Sequence, residues 1–478
     1  MSTLLLNCRM EEVVALRFAP WTCMSAKKSV SQPPRSAVFD LYRLNCVPTC
    51  SCEPQEIESA TRILARHCYI ISEECGLMNA VGIDVSKGRS TVAVARPFGE
   101  TIVKPFEVLH TKSGIENLVN ILNALEGECR VVLEHTGRYY EPMANWLSGA
   151  GLFVSAVNPW LIKNFSTNSL RKVKTDKADA KKIARYALDK WCELRQYTAM
   201  DKKRAQLKTM NRQFNFYMKQ KTAYKNNLVA LVDQTFPGAN KFFTSPARED
   251  GSQKWVDFID TFWHVDCVCG ISLAAFTERY QKWCKRNGYD FQPAKPADIY
   301  NISQDLIATL PKDNMTKMFV KQAVDQLNAI SKAVEELRIQ MDELASELPE
   351  YDIVLGMKGV GPTLGPQLMA EIGDVSRFNK RSALTAFAGV EPGNNQSGDY
   401  EQHSVSTSKR GSPYLRKTLF QVMDVLIKTC PQDDPVYAFM DKKRSEGKPY
   451  YVYMTAGANK FLRIYYGCVK AHLGDTDT

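Results

Sequence analysis

Between residues 80 and 200, short runs rich in β-branched residues, which are typical of strands, alternate with segments that have helical spacing. Three strands are predicted first, and single helices and single strands then alternate. The predicted strands are 80–85, 90–95, 101–109, 129–134 and 152–157, and the predicted helices are 115–125, 139–149 and 176–189. This order, βββαβαβα, requires a mixed sheet that is covered by helices.

The same order is found in the RNase H and Holliday-junction resolvase (RuvC-like) fold, where an antiparallel hairpin joins parallel strands. A chain of 478 residues is about three times a typical domain, so several cores are expected. We predict an α/β plus α protein: a RuvC-like domain at 78–200, a helical coiled-coil region at 201–349 and a mostly helical C-terminal domain at 350–478. Within the coiled-coil region, residues 238–310 are predicted to be a helical insertion.

Residues 1–77 show no clear periodicity and hold seven of the 14 cysteines. We interpret this segment as a leader of uncertain structure that need not belong to the native protein, which would then start at Met78. Its deletion is expected to leave activity intact. The chain has no apolar run long enough to span a membrane and no secretory pattern, so we predict a cytoplasmic, prokaryotic protein that joins the nucleoid when bound to DNA.

The cysteines are scattered, which is typical of reduced thiols rather than a disulfide framework. Two groups could be argued as metal ligands, but neither has the paired two-residue spacing of a zinc module. These groups are Cys50 with Cys52, and His264 with Cys267 and Cys269.

Four carboxylates occupy positions of this fold that can meet. Asp84 lies in the first strand and Glu134 ends the fourth, so both can project at one edge of the sheet. Asp176 and Asp179 share one face of the last predicted helix, for which Thr175 is the expected N-cap. Each acid alone would be an ordinary cap or surface residue. Together they predict a site where two Mg²⁺ ions, or Mn²⁺ as a substitute, act on a phosphodiester.

Positive charge is concentrated around these acids. Residues 163–225 hold 18 Lys or Arg against 5 Asp or Glu, within a chain whose net charge is +10. Such a run is often only a solvated face, but here it encloses the carboxylates and therefore indicates contact with nucleic-acid phosphates. The expected contacts in this domain are Lys87, Arg138, Arg171, Lys172 and Lys174.

Two long helices are predicted in the middle region. A basic helix covers 201–233, and a second helix carries a heptad seam that runs to Pro349. The seam residues are Leu327, Ile330, Val334, Leu337, Met341, Leu344 and Leu348. The seam could pair with the 201–233 helix within one chain or form a dimerising coiled coil, and the sequence leaves both open.

The C-terminal domain holds two further candidate DNA contacts and a serine loop. Gly359 and Gly361 resemble a helix-hairpin-helix turn that approaches phosphates, although two such glycines also fit an ordinary turn between helices. A polar loop at 393–398 carries Ser397, and residues 408–416 supply cations before an N-capped helix. The expected phosphate contacts here are Lys358, Gly359, Gly361, Lys409, Arg410 and Arg416.

Two blocks of short motifs resemble a known family. The first block comprises Gly82-Ile83-Asp84-Val85-Ser86-Lys87, Glu134-His135-Thr136-Gly137-Arg138-Tyr139, Val157-Asn158-Pro159 and Lys174-Thr175-Asp176-Lys177-Ala178-Asp179-Ala180. The second comprises Gly359-Val360-Gly361-Pro362, Ala386-Phe387-Ala388-Gly389-Val390, Ser397-Gly398, Ser408-Lys409-Arg410-Gly411 and Leu415-Arg416. With these motifs the chain resembles the DEDD transposases of the insertion-sequence family numbered one hundred and ten, recombinases guided by a bridge RNA. It departs from them in its leader and its longer 238–310 segment.

The resemblance implies an enzyme that cuts and rejoins donor and target double-stranded DNA at sites specified by its own noncoding RNA. The four matching carboxylates, Asp84, Glu134, Asp176 and Asp179, would bind magnesium. Ser397 matches the serine of the family's Ser-Gly motif and would attack the phosphodiester, holding the cut strand covalently. The family also implies a homo-oligomer, for which we expect a dimer or a tetramer.

Two other functions fit the residues. A junction-resolving or RNA-cutting nuclease would use the same four acids with water as the nucleophile, so Ser397 would be dispensable. A non-catalytic DNA- or RNA-binding protein would need only the basic segment and the glycine turn, and would work without divalent metal. The intact set of acids favours an enzyme.

Overall fold

The computed structural model describes residues 78–165 except 136 and 138, residues 175–391, residues 396–397 and 400–401, and residues 407–476. Four of the predicted contacts and the leader lie outside these residues: Arg138, Arg171, Lys172, Lys174 and the segment 1–77. The chain divides into two compact units between Leu194 and Arg195. No helix of the described residues is both long and apolar enough to cross a bilayer.

The first unit contains one five-stranded mixed sheet. Its strands are β1 (Met78–Val85), β2 (Arg89–Ala95), β3 (Thr101–Leu109), β4 (Glu128–Glu134) and β5 (Phe153–Val157). The strand order is β3-β2-β1-β4-β5. Strand β1 pairs antiparallel with β2 and parallel with β4, and β4 pairs parallel with β5. The predicted hairpin that continues into parallel strands is therefore confirmed.

In the described part of this unit, four α-helices accompany the sheet: α1 (Lys112–Asn123), α2 (Tyr140–Gly149), α3 (Pro159–Phe165) and α4 (Asp176–Asp189). The predicted order of strands and helices is confirmed, and α3 is an additional short helix that the sequence analysis did not identify. Both faces of the central strands are buried, as expected for strands that carry nearly continuous apolar runs. Ala80, Val81 and Ile83 of β1, for example, are fully buried.

The second unit is mostly helical. Its helices are α5 (Lys202–Thr235), α6 (Lys254–Thr261), α7 (Asp266–Cys269), α8 (Leu273–Asn287), α9 (Ala294–Gln304), α10 (Asn314–Ser346), α11 (Tyr351–Leu355), α12 (Leu364–Ile372), α13 (Arg381–Ala388), α14 (Pro413–Thr429), α15 (Pro435–Ser445) and α16 (Tyr450–Thr476). Two short strands, β6 (Gln396–Ser397) and β7 (Tyr400–Glu401), form an antiparallel pair between α13 and α14.

The heptad seam of α10 packs within the chain. Ion pairs of Lys203 with Glu347 (2.8 Å) and Lys221 with Glu335 (3.8 Å) join the two long helices α5 and α10 in antiparallel orientation. Seam residues such as Val334 share an apolar core with residues of α5 such as Leu207. Of the two arrangements that the sequence left open, the intramolecular helix pair is present.

The insertion has its own aromatic core. Phe258, Phe276 and Tyr280 are fully buried or nearly so, and they pack with Trp283 and with the end of α5. The predicted helical character of this segment is confirmed by helices α6 to α9. His264 is buried among them because both ring nitrogens are satisfied: Nδ1 accepts from the Asp266 amide (3.1 Å), so Nε2 is the donor to the Leu310 carbonyl (3.0 Å).

Candidate functional site

Asp84 and Glu134 lie side by side at one end of the sheet. The parallel pairing of β1 with β4 places Ile83 opposite Leu133, so Asp84 and Glu134 follow as neighbours in the same register. Residues in register on parallel strands point to the same face. Both carboxylates are half-buried. The sequence-based placement of these two acids on adjacent parallel strands is confirmed.

Helix α4 lies directly against this face of β1. A Cβ atom on Gly82 would meet the Ala180 carbonyl oxygen and the Ala184 amide nitrogen at 2.3 Å, so the backbones of strand and helix touch here. Further back along β1, Ala80 packs with Ile183 in one apolar cluster. The helix therefore runs antiparallel to β1, and its first turn lies towards the Asp84 end of the strand.

That first turn carries the other two acids. Thr175 is the N-cap of α4, and its hydroxyl accepts a hydrogen bond from the Ala178 amide (3.2 Å), as predicted. Asp176 is exposed and Asp179 is half-buried. Negative charge at this position is stabilised by the amino-terminal end of the helix dipole. The fold thus brings the four acidic positions to one end of the sheet, on the face covered by α4.

The side chains themselves are not gathered into a metal-ligand set. Among the residues that the structure describes, no three His, Cys, Asp or Glu side chains lie close enough together to hold an ion. The donor chemistry still fits Mg²⁺, which takes carboxylate oxygens and keeps several waters.

Gly82 is a site residue that the sequence analysis did not single out. Its role is to let the α4 backbone approach β1 closely enough to place the acids together. A glycine in the interior of an otherwise β-branched strand is the signal that could have found it, since it marks a bulge or a close backbone approach. Lys87, a predicted phosphate contact, is exposed in the β1–β2 turn next to this end of the sheet.

In the second unit, the predicted glycine turn lies between α11 and α12, as expected. Gly359 has a positive φ of 79°, and a Cβ there would meet the Leu426 side chain at 2.9 Å. Gly359 therefore has a structural role, because the absence of a side chain lets the turn pack against α14. Gly361 has open space around the position of a Cβ, so its backbone can be approached from outside. Lys358 is exposed and pairs with Asp433 at 3.5 Å.

The predicted phosphate contacts at 408–416 comprise two cations that are exposed to solvent and one that contacts the protein itself. Lys409 and Arg410 are exposed before α14, whose N-cap Ser412 accepts from the Leu415 amide (3.2 Å), as predicted. Arg416 instead donates from Nη1 to the Ala388 carbonyl (2.9 Å), and burial lowers its pKa. Its side chain therefore holds α14 to α13 in this structure, which is a structural contact that the sequence did not indicate.

Ser397 lies in β6, where its backbone pairs with Tyr400. Its side chain lies outside the described part of the chain. The segments on either side of this hairpin are fastened to each other. The Ser408 amide donates to the Glu391 carbonyl (3.2 Å), and the Lys409 amide donates to the Gly389 carbonyl (3.2 Å). The serine is thus carried on a loop whose two ends are held together.

A buried carboxylate, that of Glu371, is hydrogen-bonded to the N-cap residue of α14. Glu371, which is 1% exposed, accepts hydrogen bonds from Asn211 Nδ2 (2.9 Å), Arg212 Nη2 (2.9 Å) and Ser412 Oγ (2.8 Å). The Arg212 guanidinium also stacks on the Tyr414 ring at 3.7 Å. This network ties α5 and α12 to the segment that follows the serine loop. In the sequence, this network was indicated only by the presence of an acid, Glu371, within the apolar run of α12.

Comparison with known proteins gives matches to both units. One transposase family model, for the DEDD type of IS110, matches residues 81–237, and a second, for the IS116/IS110/IS902 transposase family, matches residues 351–438. The chain is also similar to the pilin gene-inverting proteins of Moraxella lacunata and Moraxella bovis. Each is 23% identical over 340 residues, which is 71% of this chain and 80% of the relative.

Proposed function

Because the chain belongs to the IS110 family of transposases and is a DNA transposase or recombinase, we propose that a noncoding bridge RNA guides it to donor and target DNA, which it cuts and rejoins. The relatives that invert a pilin gene rearrange DNA, which supports strand exchange rather than simple cutting. We further propose that the mixed sheet belongs to the RNase H and RuvC class and that it carries the DEDD site.

The observation that carries this proposal is the convergence of Asp84, Glu134 and the first turn of α4 at one end of the sheet. Asp84, Glu134, Asp176 and Asp179 would hold Mg²⁺, with Mn²⁺ as a substitute. When bound, the metal would stabilise negative charge on the phosphodiester and lower the pKa of an attacking hydroxyl. The chain's own part is to supply four oxygen donors on a rigid strand–helix contact and to offset the charge of the cations.

We propose Ser397 as the nucleophile. Its Oγ would form a bond to phosphorus as the bond from phosphorus to one sugar oxygen breaks; the serine loses its proton and the released sugar hydroxyl gains one. The resulting ester conserves the energy of the cleaved bond, so a second strand's hydroxyl can rejoin it without a nucleotide triphosphate. The backbone hydrogen bonds from Ser408 and Lys409 hold the two ends of the serine loop together. They support this role because they restrict the positions that the nucleophile can occupy.

The nucleophile is tested with the Ser397→Ala variant in the full chain. Purified protein with its co-purifying RNA and Mg²⁺ is incubated with labelled donor DNA, and protein-linked DNA is measured on a denaturing gel. We expect Ser397→Ala to lose the covalent product while RNA binding is retained. Ser382→Ala, at an exposed serine of α13, is the matched control and should behave as the parent.

The alternatives give different results in the same assay. DNA cleavage that continues in Ser397→Ala without any protein-linked product would indicate a metal-dependent nuclease that uses water. Strand exchange that persists would remove Ser397 from the site.

Sequencing the co-purifying RNA tests guidance by a bridge RNA. One short noncoding species is expected, and random fragments would contradict the proposal. We also expect a dimer or a tetramer, which light scattering of the RNA-bound protein measures.

A further inference from the structure

Helices α5 and α14 meet at a contact that brings two lysines together. Lys417 of α14 donates from Nζ to the side-chain oxygen of Asn215 on α5 (2.9 Å). Asn215 is 3% exposed, so this hydrogen bond holds the Lys417 side chain against α5. Lys219 follows Asn215 by four positions and therefore lies on the same face of α5, one helical turn further along. The two lysines thus face each other across the boundary between the helices.

The two positive charges oppose each other. Partial burial and the charge of Lys219 both lower the pKa of Lys417. The hydrogen-bond partner of Lys417, the Asn215 amide, carries no charge. Within the part of the chain that the structure describes, neither lysine forms an ion pair with Asp or Glu. Like charges that are held together without a counterion destabilise the folded protein, so an anion bound between the two lysines would remove this cost.

An accessible aromatic ring lies beside the lysines. Phe216 precedes Lys219 by three positions, so the two side chains are neighbours on the surface of α5. Phe216 is 52% exposed, which leaves ring surface open to a ligand. The adjacent Tyr217 ring is tilted against it, with 6.1 Å between the centroids, and does not stack on it. A phosphate at the lysines and a base at the ring can therefore belong to one strand.

We propose that this surface of α5 and α14 binds an unpaired nucleic-acid strand, with one phosphate between Lys219 and Lys417 and a neighbouring base on the Phe216 ring. A duplex keeps its bases stacked on one another, whereas an unpaired strand offers a base face. Aromatic rings beside cations are the usual means by which proteins bind unpaired strands.

The place of this surface relates it to the serine loop. Lys417 lies five residues, about 7.5 Å, beyond Ser412, the N-cap of the helix that follows the loop. A strand bound at Lys417 would therefore pass close to the base of the loop that carries Ser397. The inference rests on the proposed function and deepens it, because it names an unpaired strand as one of the nucleic acids that the second unit holds.

The ring is tested with Phe216→Ala in the full chain. Binding of a fluorescent single strand of about 12 nucleotides, and of the matching duplex, is measured by anisotropy. The variant should bind the single strand about 5- to 150-fold more weakly, the usual effect of removing a ring on which one base stacks, and the duplex as the parent does. Tyr451→Ala, which removes a 73% exposed ring elsewhere in the second unit, should keep the parental affinity. An equal effect on both ligands, or none, would overturn the proposal.

The lysines are tested through the salt dependence of the same binding. Lys219→Gln/Lys417→Gln should lower the slope of log affinity against log salt by about 0.7, because one phosphate contact is lost. Lys225→Gln/Lys428→Gln is the matched control, since it also removes one exposed lysine from α5 and one from α14, and it should keep the parental slope. A parental slope in the Lys219→Gln/Lys417→Gln protein would count against the site.

The opposed charges give a third measurement on the protein without ligand. Lys219→Gln removes the charge that opposes Lys417, so it should raise the midpoint of urea unfolding while it lowers the affinity for the single strand. Lys225→Gln should change neither quantity. A lower midpoint together with weaker binding would assign Lys219 to the fold rather than to a ligand and would overturn the proposal.

The outcomes also identify the strand and separate this inference from the proposed function. RNA and DNA strands of one sequence are measured in parallel, and the larger loss in Phe216→Ala shows which of them the site holds. If the variants bind single strands as the parent does while Ser397-dependent DNA attachment is intact, only the inference fails. If the variants lose single-strand binding but the parent never forms protein-linked DNA, the proposed recombination fails and the strand site stands.

Discussion

The close approach of α4 to β1 makes a specific prediction for Gly82→Ala. The glycine faces α4, and the added methyl group would meet the Ala180 carbonyl oxygen and the Ala184 amide nitrogen at 2.3 Å. Both are backbone atoms, so no side-chain rotation can relieve the overlap. The helix must withdraw until the contact reaches at least 3.0 Å, below which real Cβ contacts are essentially never found.

The expected cost follows from that displacement. Extra methyl groups in a well-packed interior usually cost about 1–3 kcal/mol, and a gap of about 1 Å also forfeits a quarter to a half of each dispersion contact along the interface. A loss of about 2 kcal/mol would lower the unfolding temperature of a unit of this size by about 4–8 °C. Because the first turn of α4 carries Asp176 and Asp179, a shift of this size should also lower the DNA cleavage rate about 100-fold.

Hydrogen exchange of the β1 and α4 peptides, thermal unfolding and Mg²⁺-dependent DNA cleavage would all be measured on the full chain. Gly149→Ala is the matched control, because a Cβ at that helical position meets nothing within 4 Å. The control should be neutral or more stable by about 0.5–1 kcal/mol.

A Gly82→Ala protein with parental exchange, melting and cleavage would refute the reasoning, since α4 could not then lie against β1 at the stated distance. A loss of stability with the parental DNA cleavage rate would separate the effect on stability from the effect on the site. It would retain the close contact but remove the link between α4 and the acids at its start.

Three further predictions concern other parts of the chain. Glu350→Ala should destabilise the second unit by about 3 kcal/mol in urea unfolding, because Arg204, whose Nη2 lies 2.8 Å from the buried Glu350, would keep its pair with the half-exposed Asp201 (3.0 Å) but lose its buried partner. Glu343→Ala, at an exposed position, should be nearly neutral, and equal losses would contradict this. Burial lowers the pKa of His110, so the folded state binds fewer protons: stability should be full above pH about 6.5 and fall as pH drops through the lowered pKa. His110→Gln should flatten this dependence of the urea midpoint, and an unchanged profile would exclude His110. Deletion of residues 1–77 should leave DNA cleavage intact, and an inactive truncation would show that the leader is required.

Local patterns were sufficient to predict the strands β1 to β5 and the helices α1, α2 and α4 of the first unit. The β-branched-rich run of Ala80 to Val85 and the helical spacing of 176–189 are properties of the segments themselves, and the structure confirms both elements. The same is true of the N-caps, because Thr175 and Ser412 act on amides only a few residues away. Helix α3 was missed because it has only seven residues, beginning with Pro159, which are too few to show a period.

Contacts between distant segments could not be predicted in this way. The heptad seam indicated that α10 has a partner, but only packing identified α5 as that partner within the chain. Arg416 was predicted from the sequence as a phosphate contact, and only the tertiary structure shows that its Nη1 donates to the Ala388 carbonyl. Glu371 gave almost no signal, because its partners Asn211 and Arg212 lie about 160 residues away.

The sequence by itself therefore determined the order of strands and helices, the four acids and the basic surroundings, since each depends on residue type and on spacing within a segment. The tertiary structure alone decided that Gly82 admits the α4 backbone and so brings Asp176 and Asp179 to the Asp84 end of the sheet. It also brought Thr261, Arg286 and Lys312 together from separate segments of the second unit. These features depend on the three-dimensional distance between residues, which spacing along the chain does not specify.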